Sequence, residues 1–375
     1  MVTVRSLCFL ASAFAFATAA PAQTTPEITS KLGTKFYSLP DEKGVVGAAQ
    51  KNLAADPKNP ELLLKLAQAQ ISVWQDKDAV ETLTRALAIS PENADLYIER
   101  GHRELPLREF AKARADLSRA AALNPKSMAA YYHLGLAHYF LGEFTPAADA
   151  FRHAVETAPN TDERINSTNW LYAALRRAKR TDEAAKALEG VPLEMTNKEP
   201  HTRFYLNLVR FFQGRMSESE ALPPEPPAGN TDPEVELAFD TVAYGIGNWH
   251  LYNGDNAKAQ EYFRRILKGH VWVTWGFVGA ETELQRLPPT QGDRPRGTAC
   301  RSAAQVGTVV CRSGAPVATV LVRQPMPRIL TALLRELTLL SFGCNRILIA
   351  SAPFFQPQQQ LRQPDPKFPP IRADS

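Results

Sequence analysis

An all-α solenoid of stacked helix-turn-helix units is the fold this 375-residue sequence predicts, on three observations. Four prolines, Pro57, Pro91, Pro125 and Pro159, stand 34 residues apart. Small residues recur at the same places between them. The segments so marked off carry apolar residues at i, i+3, i+4 and i+7, the spacing of one helix face. A fixed period of this length means that one supersecondary unit is repeated, and that the units bury their apolar faces on one another.

The N-terminus, "MVTVRSLCFLASAFAFATAAPAQ", reads as an export signal over residues 1–22. Arg5 supplies the positive start, Leu7 to Ala20 form an apolar run too short to cross a bilayer, and Ala20-Pro21-Ala22 fits a cleavage site after Ala22. Cys8 stands at the start of that run, where it makes a poor lipidation site. The mature chain is expected to be periplasmic or secreted, with no membrane span once the signal is removed. Residues 23–44 are expected to be a linker. Residues 23–290 contain no cysteine. An exported protein is free to use disulfides, so this body is expected to be held by packing alone.

Numbered from three residues after each proline, the clear units are 60–93, 94–127 and 128–161. Position 4 holds Leu63, Tyr97 and Tyr131, and position 8 holds Ala67, Gly101 and Gly135. Position 20 holds Ala79, Ala113 and Ala147. Position 24 holds Leu83, Leu117 and Phe151, and position 27 holds Ala86, Ala120 and Ala154. Positions 4, 7, 8 and 11 share one face of a first helix, and 20, 24 and 27 one face of a second. Small residues let the two backbones approach, and large ones fill what remains. Glycine inside a helix costs about 1 kcal/mol relative to alanine, so Gly135 has to be offset by the packing it permits. Gly142 falls between the helices, where a left-handed residue can end the first one. Pro159 follows the second helix and cannot continue it.

These 34-residue units, with small residues at 8, 20 and 27 and proline at 32, resemble the tetratricopeptide repeat (TPR). The third unit fits best, through Leu134, Gly135, Ala147, Phe151, Ala154 and Pro159. The second departs from the pattern, with Arg100 where the motif has leucine and with Pro106 expected to stop its first helix early. The resemblance implies a right-handed superhelical solenoid over residues 45–287. Degenerate units follow at 162–222, where Ala184 and Leu188 recover positions 20 and 24 after an insertion of about three residues. The second helix after Gly214 is curtailed, and "PPEPP" marks a Pro-rich break over 223–233 that reads as a stiff linker. Residues 234–287 resume the pattern with Gly247, Gly254, Ala259 and Phe263. "VWVTWGFVGAETELQRL" is expected to be one amphipathic helix closing the stack.

Near Gln291 the composition changes. Residues 1–290 carry a net charge of −3 and residues 291–375 one of +7, and Cys300, Cys311 and Cys344 all lie in the tail. Arginine replaces lysine there and the helical period stops. Residues 291–375 are expected to be an irregular basic tail, either disordered or read out of frame. The rival reading is a basic arm for an acidic surface. The body lacks the basic footprint of a nucleic-acid binder.

No catalytic or metal motif is present. There is no H-E-x-x-H, G-x-S-x-G or Walker A sequence. His133 and His138 are five residues apart and fall on different faces of a helix, and the cysteines lack paired zinc spacing. The reading is therefore non-enzymatic, with no cofactor. What remains is a binding face. In the family that the chain resembles, positions 2, 5, 9 and 12 line the concave side. On this chain the candidates are Leu64, Gln68, Ile71, Ile98, His102, Tyr132, Leu136 and Tyr139. The lysine and asparagine with which chaperone-binding members grip a carboxylate are replaced by Leu64, Gln68, Ile98 and His102. The apolar, aromatic face suits an amphipathic helix or an extended apolar peptide; the alternative is that Leu136 and Ile98 simply add to the core, as aromatic stripes at helical spacing often do. The residues expected to carry the repeat packing are Gly101, Gly135, Ala147, Phe151, Ala154, Pro159, Gly247, Ala259 and Phe263. The function so implied is an exported scaffold or adaptor that binds a protein or peptide in the periplasm or envelope. The alternative is an accessory, substrate-presenting subunit of an envelope enzyme or of a secretion or assembly complex.

Overall fold

A computed structural model of the chain describes residues 25–198 and 203–288. The export signal and the tail beyond 291 lie outside the described residues. Over the described residues the fold is all-α apart from one antiparallel pair of two-residue strands, β1 (Ile28–Thr29) and β2 (Lys35–Phe36). Helices of the three clear units pair as α2 (Pro60–Ser72) with α3 (Asp76–Ile89), α4 (Ala94–Glu104) with α5 (Phe110–Leu123), and α6 (Met128–Leu141) with α7 (Phe144–Glu156). Before them stands α1 (Val45–Ala55). After them come α8 (Thr161–Arg177), α9 (Thr181–Glu189), α10 (Arg203–Phe212), α11 (Glu218–Ala221), α12 (Pro233–Tyr252), α13 (Asn256–Ile266) and α14 (Trp275–Arg286). Consecutive helices pack as sequential antiparallel pairs, which is the arrangement of a TPR solenoid.

The 34-residue period appears in atomic detail. First helices begin at Pro60, Ala94 and Met128. Each is preceded by a capping side chain, Asn59, Asn93 or Ser127, that accepts a backbone N–H from the first turn. A cap of this kind stabilises a helix by about 1 kcal/mol. Turns between paired helices repeat as well. Trp74, Arg108, Gly142, Lys179 and Gly254 all have φ between 57° and 94°. The residue after each of them donates its N–H to a carbonyl five residues back, as in Gln75 to Gln70, Glu109 to Glu104 and Glu143 to His138. This is the left-handed C-terminal stop. Glycine adopts it freely, whereas Trp74, Arg108 and Lys179 adopt it at a cost of about 1–2 kcal/mol each.

Positions 8 and 24 meet in unit after unit. A Cβ added at Gly101 would lie 2.7 Å from Leu117, one at Gly135 2.6 Å from Phe151, and one at Gly247 2.9 Å from Phe263. Ala147, Phe151, Ala154, Ala259 and Phe263 are fully buried. Arg100, the departure in the second unit, forms a two-pronged ion pair with Asp116, at 2.5 and 2.8 Å, and also donates to Thr84. A charge thus replaces leucine because α5 supplies its partner. Pro106 has the expected effect, since α4 ends at Glu104.

Two expectations change. Residues 25–44 are more than a linker. Phe36 is buried and stacks on Trp272 at 5.8 Å, the Trp272 indole donates to the Tyr37 carbonyl, and the Leu39 N–H bonds Val73 O. Nor is α14 a cap with a wet face. Every residue from Gly276 to Glu283 is buried, which is the pattern of a helix enclosed on all sides. One core cluster accordingly runs from Phe36 to Ala280, and a second surrounds α1 to α3.

Gly135→Leu is expected to overpack the junction with Phe151 and to destabilise by about 1–3 kcal/mol or more. A thermal melt reads this directly, and an unchanged midpoint would contradict the packing assigned to position 8.

Candidate functional site

The first helices of the units supply the face expected to bind a partner, and the structure divides that face in two. On α2 it is open, with Gln68 exposed and Leu64 and Ile71 half-buried. On α4 and α6 it is filled. Ile98 and Tyr132 are buried, and Leu136 and Tyr139 have no exposed surface. The expectation that Ile98, Tyr132, Leu136 and Tyr139 face a partner is thus corrected, since these side chains add to the core, and His102 is half-buried.

Later helices of the same chain, α8, α12 and α14, occupy the place. Tyr139 accepts a hydrogen bond from the Asn248 amide at 2.6 Å, and Tyr132 bonds Asn166 at 3.0 Å. The Trp170 ring lies against Tyr244 at 5.7 Å. His102 stacks on His133 at 4.2 Å, and both rings contact Trp275 at the start of α14. Arg286, at the end of α14, donates to the Phe140 carbonyl. Close approach makes room for this helix. A Cβ on Gly276 would fall 2.3 Å from the Asp240 carbonyl, and one on Gly279 2.5 Å from the Tyr244 ring.

Burying α14 carries two carboxylates inside, and each meets an arginine. Glu281 pairs with Arg108 at 2.7 Å, and Glu283 pairs with Arg177 at 2.9 Å. Arg108 also donates to the carbonyls of Pro106 and Trp272 and lies over the rings of Phe36 and Trp272. Trp74, at the equivalent turn one unit earlier, packs against His270 and Trp272. Three of the turns put a non-glycine residue in the left-handed region, and at two of them, Trp74 and Arg108, the side chain reaches the closing segment. This was the available signal in the sequence. Trp74 and Arg108 occupy the position where Gly142 and Gly254 stand in other units.

Electrostatics follow from the enclosure. Burial, with Arg103 next in effect, depresses both histidines; His133 falls to about 4 and His102 lies well below its usual value. Burial raises three acids. Asp76 rises to about 6, Glu104 to about 8 with Asp116 beside it, and Asp240 to about 8 with Glu236 beside it. Among the described residues no three His, Cys, Asp or Glu side chains converge to hold a metal. No helix among them is long and apolar enough to cross a membrane.

Removing one partner of a buried ion pair leaves the other uncompensated, at about 3–5 kcal/mol. Arg108→Met is therefore expected to cost that much in denaturant unfolding. The double change Arg108→Met with Glu281→Leu is expected to recover most of it, and an equal loss in both variants would show that the pair is not what the arginine provides. The raised acids hold protons in the folded state that the unfolded chain, with carboxyls near 4, releases. Folded protein therefore binds more protons through this window, and stability falls as pH rises. The depressed histidines act oppositely, but only below about 6.5. A melting midpoint that declines between pH 6.5 and 8.5 is expected, with a smaller decline in Asp240→Asn. A flat wild-type profile would count against the buried carboxyls.

The tetratricopeptide repeat family model matches residues 98–161. Among solved structures, a crystal structure of MamA is 30% identical over 40% of this chain and 85% of that one, with a TM-score of 0.37. A second MamA structure is 30% identical over 42% and 88%, with a TM-score of 0.38. YrrB, described as a TPR protein with an unusual peptide-binding site, is 14% identical over 64% of this chain and all of its own, with a TM-score of 0.37. No curated protein sequence matches the chain.

Proposed function

We propose that this chain, a tetratricopeptide repeat protein, is an exported, non-enzymatic adaptor that binds a protein or peptide through the open N-terminal part of its repeat face. A repeat of this kind implies a protein or peptide partner, and no catalytic domain is indicated. The observation that carries the assignment of the face is the division just described. From α4 onward the first-helix side chains are taken up by the chain's own helices, Tyr132 with Asn166 of α8, Tyr139 with Asn248 of α12 and His102 with Trp275 of α14, whereas Gln68 is exposed and Leu64 and Ile71 remain accessible. Leu32, Tyr37, Leu39 and Val45, four of the large apolar residues that are exposed among the described residues, all lie in the short stretch just before and at the start of α1. The Leu39 N–H is bonded to Val73, two residues beyond Ile71. Apolar surface clustered in this way marks an interaction site more often than scattered exposed residues do.

Export rests on the N-terminal sequence, with its positive start, short apolar run and Ala20-Pro21-Ala22 site. A role in the periplasm or envelope follows from that sequence and belongs to the proposal.

A photo-crosslinking residue placed at Gln68 of the full chain is expected to give a discrete adduct in the exporting cell. The same residue at Glu81, exposed on α3, is expected to give none. Adducts from both positions alike, or from neither, would overturn the assignment of the face. N-terminal sequencing of the envelope-fraction protein should begin at Gln23, and retention of residues 1–22 would overturn cleavage after Ala22.

A further inference from the structure

A cavity of about 490 Å³ lies between the Pro-rich segment 225–230, α12 and the end of α13. It shares no residue with the candidate α2 face, and Phe239 and Ile266, which back it, belong to the core. Phe239, Ile266, Pro226 and Pro227 form apolar wall, and Arg265 and Lys268 bring two positive charges to it. Arg265 is held in place, with its guanidinium over the rings of Phe239 at 5.3 Å and Tyr262 at 5.2 Å. Glu225 lies across the two cations, but loosely. Its carboxylate is 3.7 Å from Arg265 and 3.4 Å from Lys268, and it is carried on the irregular segment. We propose that this cavity binds a carboxylate joined to a small apolar group, the ligand carboxylate replacing Glu225 between Arg265 and Lys268 and its apolar part resting on Pro226 and Pro227.

The cavity also contains Glu236, Asp240 and His270, so the charge balance decides which ligand it takes. Glu236 is fully occupied. One oxygen accepts the N–H groups of His270 and Val271, at 2.8 and 2.9 Å, and the other meets the His270 ring at 2.5 Å. Asp240 shares a 2.7 Å hydrogen bond with the Thr274 hydroxyl, and burial keeps it uncharged at neutral pH. Asp240 thus adds no full charge, and the N–H groups that Glu236 accepts offset part of its charge, whereas Arg265 and Lys268 attract an incoming anion. Arginine suits this task because its planar fork matches a carboxylate. The volume is within the range that holds small ligands, about 300–1,000 Å³. A carboxylate of this kind could be a chain terminus or a free small acid, and the two differ in how much apolar surface they bring.

Isothermal titration of the full chain with N-acetyl-Ala-Leu, with its C-terminal amide and with 3-methylbutanoate tests the proposal. The acid is expected to bind at least about tenfold more tightly than the amide, because charge-assisted hydrogen bonds are about twice as strong as neutral ones. Lys268→Gln is expected to weaken the acid several-fold, and Glu225→Gln to tighten it by removing the internal competitor. Thermal melts of both variants should match wild type, since Lys268 and Glu225 are largely solvent-exposed. Tighter binding of the dipeptide than of 3-methylbutanoate would assign a chain terminus, and equal affinity a free acid; either supports the carboxylate site. Equal binding of acid and amide, or no binding by wild type and Glu225→Gln alike, would overturn it.

Discussion

Enclosure of α14 is the constraint on which the rest of the structure depends. A helix with every residue from Gly276 to Glu283 buried needs a wall on each side. Units two and three supply one wall, and α12 and α13 supply another. Enclosure also demands compensation, because Glu281 and Glu283 enter with their charges. Taking a charge out of water costs several kcal/mol unless it is paired and hydrogen-bonded. Arg108 and Arg177 provide the pairing, and Gly276 and Gly279 provide the clearance. The left-handed turn that every unit shares carries Arg108 in the second, and from it the side chain reaches Glu281.

This enclosure reshapes what a repeat protein ordinarily offers to a partner. Stacked helix pairs usually leave a long inner surface for binding. Here the inner surface of units two and three became the protein's own core, with Leu136 and Tyr139 completely covered. Binding capacity moves to the periphery, to the α2 face beside the N-terminal strap and to the cavity beneath the Pro-rich segment. That segment interrupts the repeat between α11 and α12, and Glu225, in its PPEPP run, meets Arg265 and Lys268. A break in the solenoid thus contributes a wall of its own rather than only connecting two parts.

The clear units were legible because each of their signals is local. Asn59, Asn93 and Ser127 cap helices that begin where the period of 34 places them. Gly101 and Gly135 each meet the large residue sixteen positions on, and this contact recurs because it lies within one unit. The candidate face was legible only in part. Gln68, Leu64 and Ile71 stand where the repeat pattern puts them and remain accessible. Tyr132, Leu136 and Tyr139 stand in equivalent positions and are buried, because helices outside their unit cover them, as where Asn166 meets Tyr132 and Asn248, 109 residues on, meets Tyr139.

By itself, then, the sequence determined the helix boundaries, the turns, the position 8 to position 24 contacts and the stack of paired helices. All of these are interactions within a unit or between neighbouring units, and a periodic sequence states them once per period. Only the tertiary structure decided that the stack closes on itself, that α14 is enclosed rather than amphipathic, and that Phe36 belongs to the same core as Ala280. Those outcomes rest on pairs such as Arg108 with Glu281 and Tyr139 with Asn248, separated by 173 and 109 residues. No repeat period encodes such a pair. It forms because a buried charge or hydroxyl has to find a partner wherever the accumulated geometry of the helices brings one.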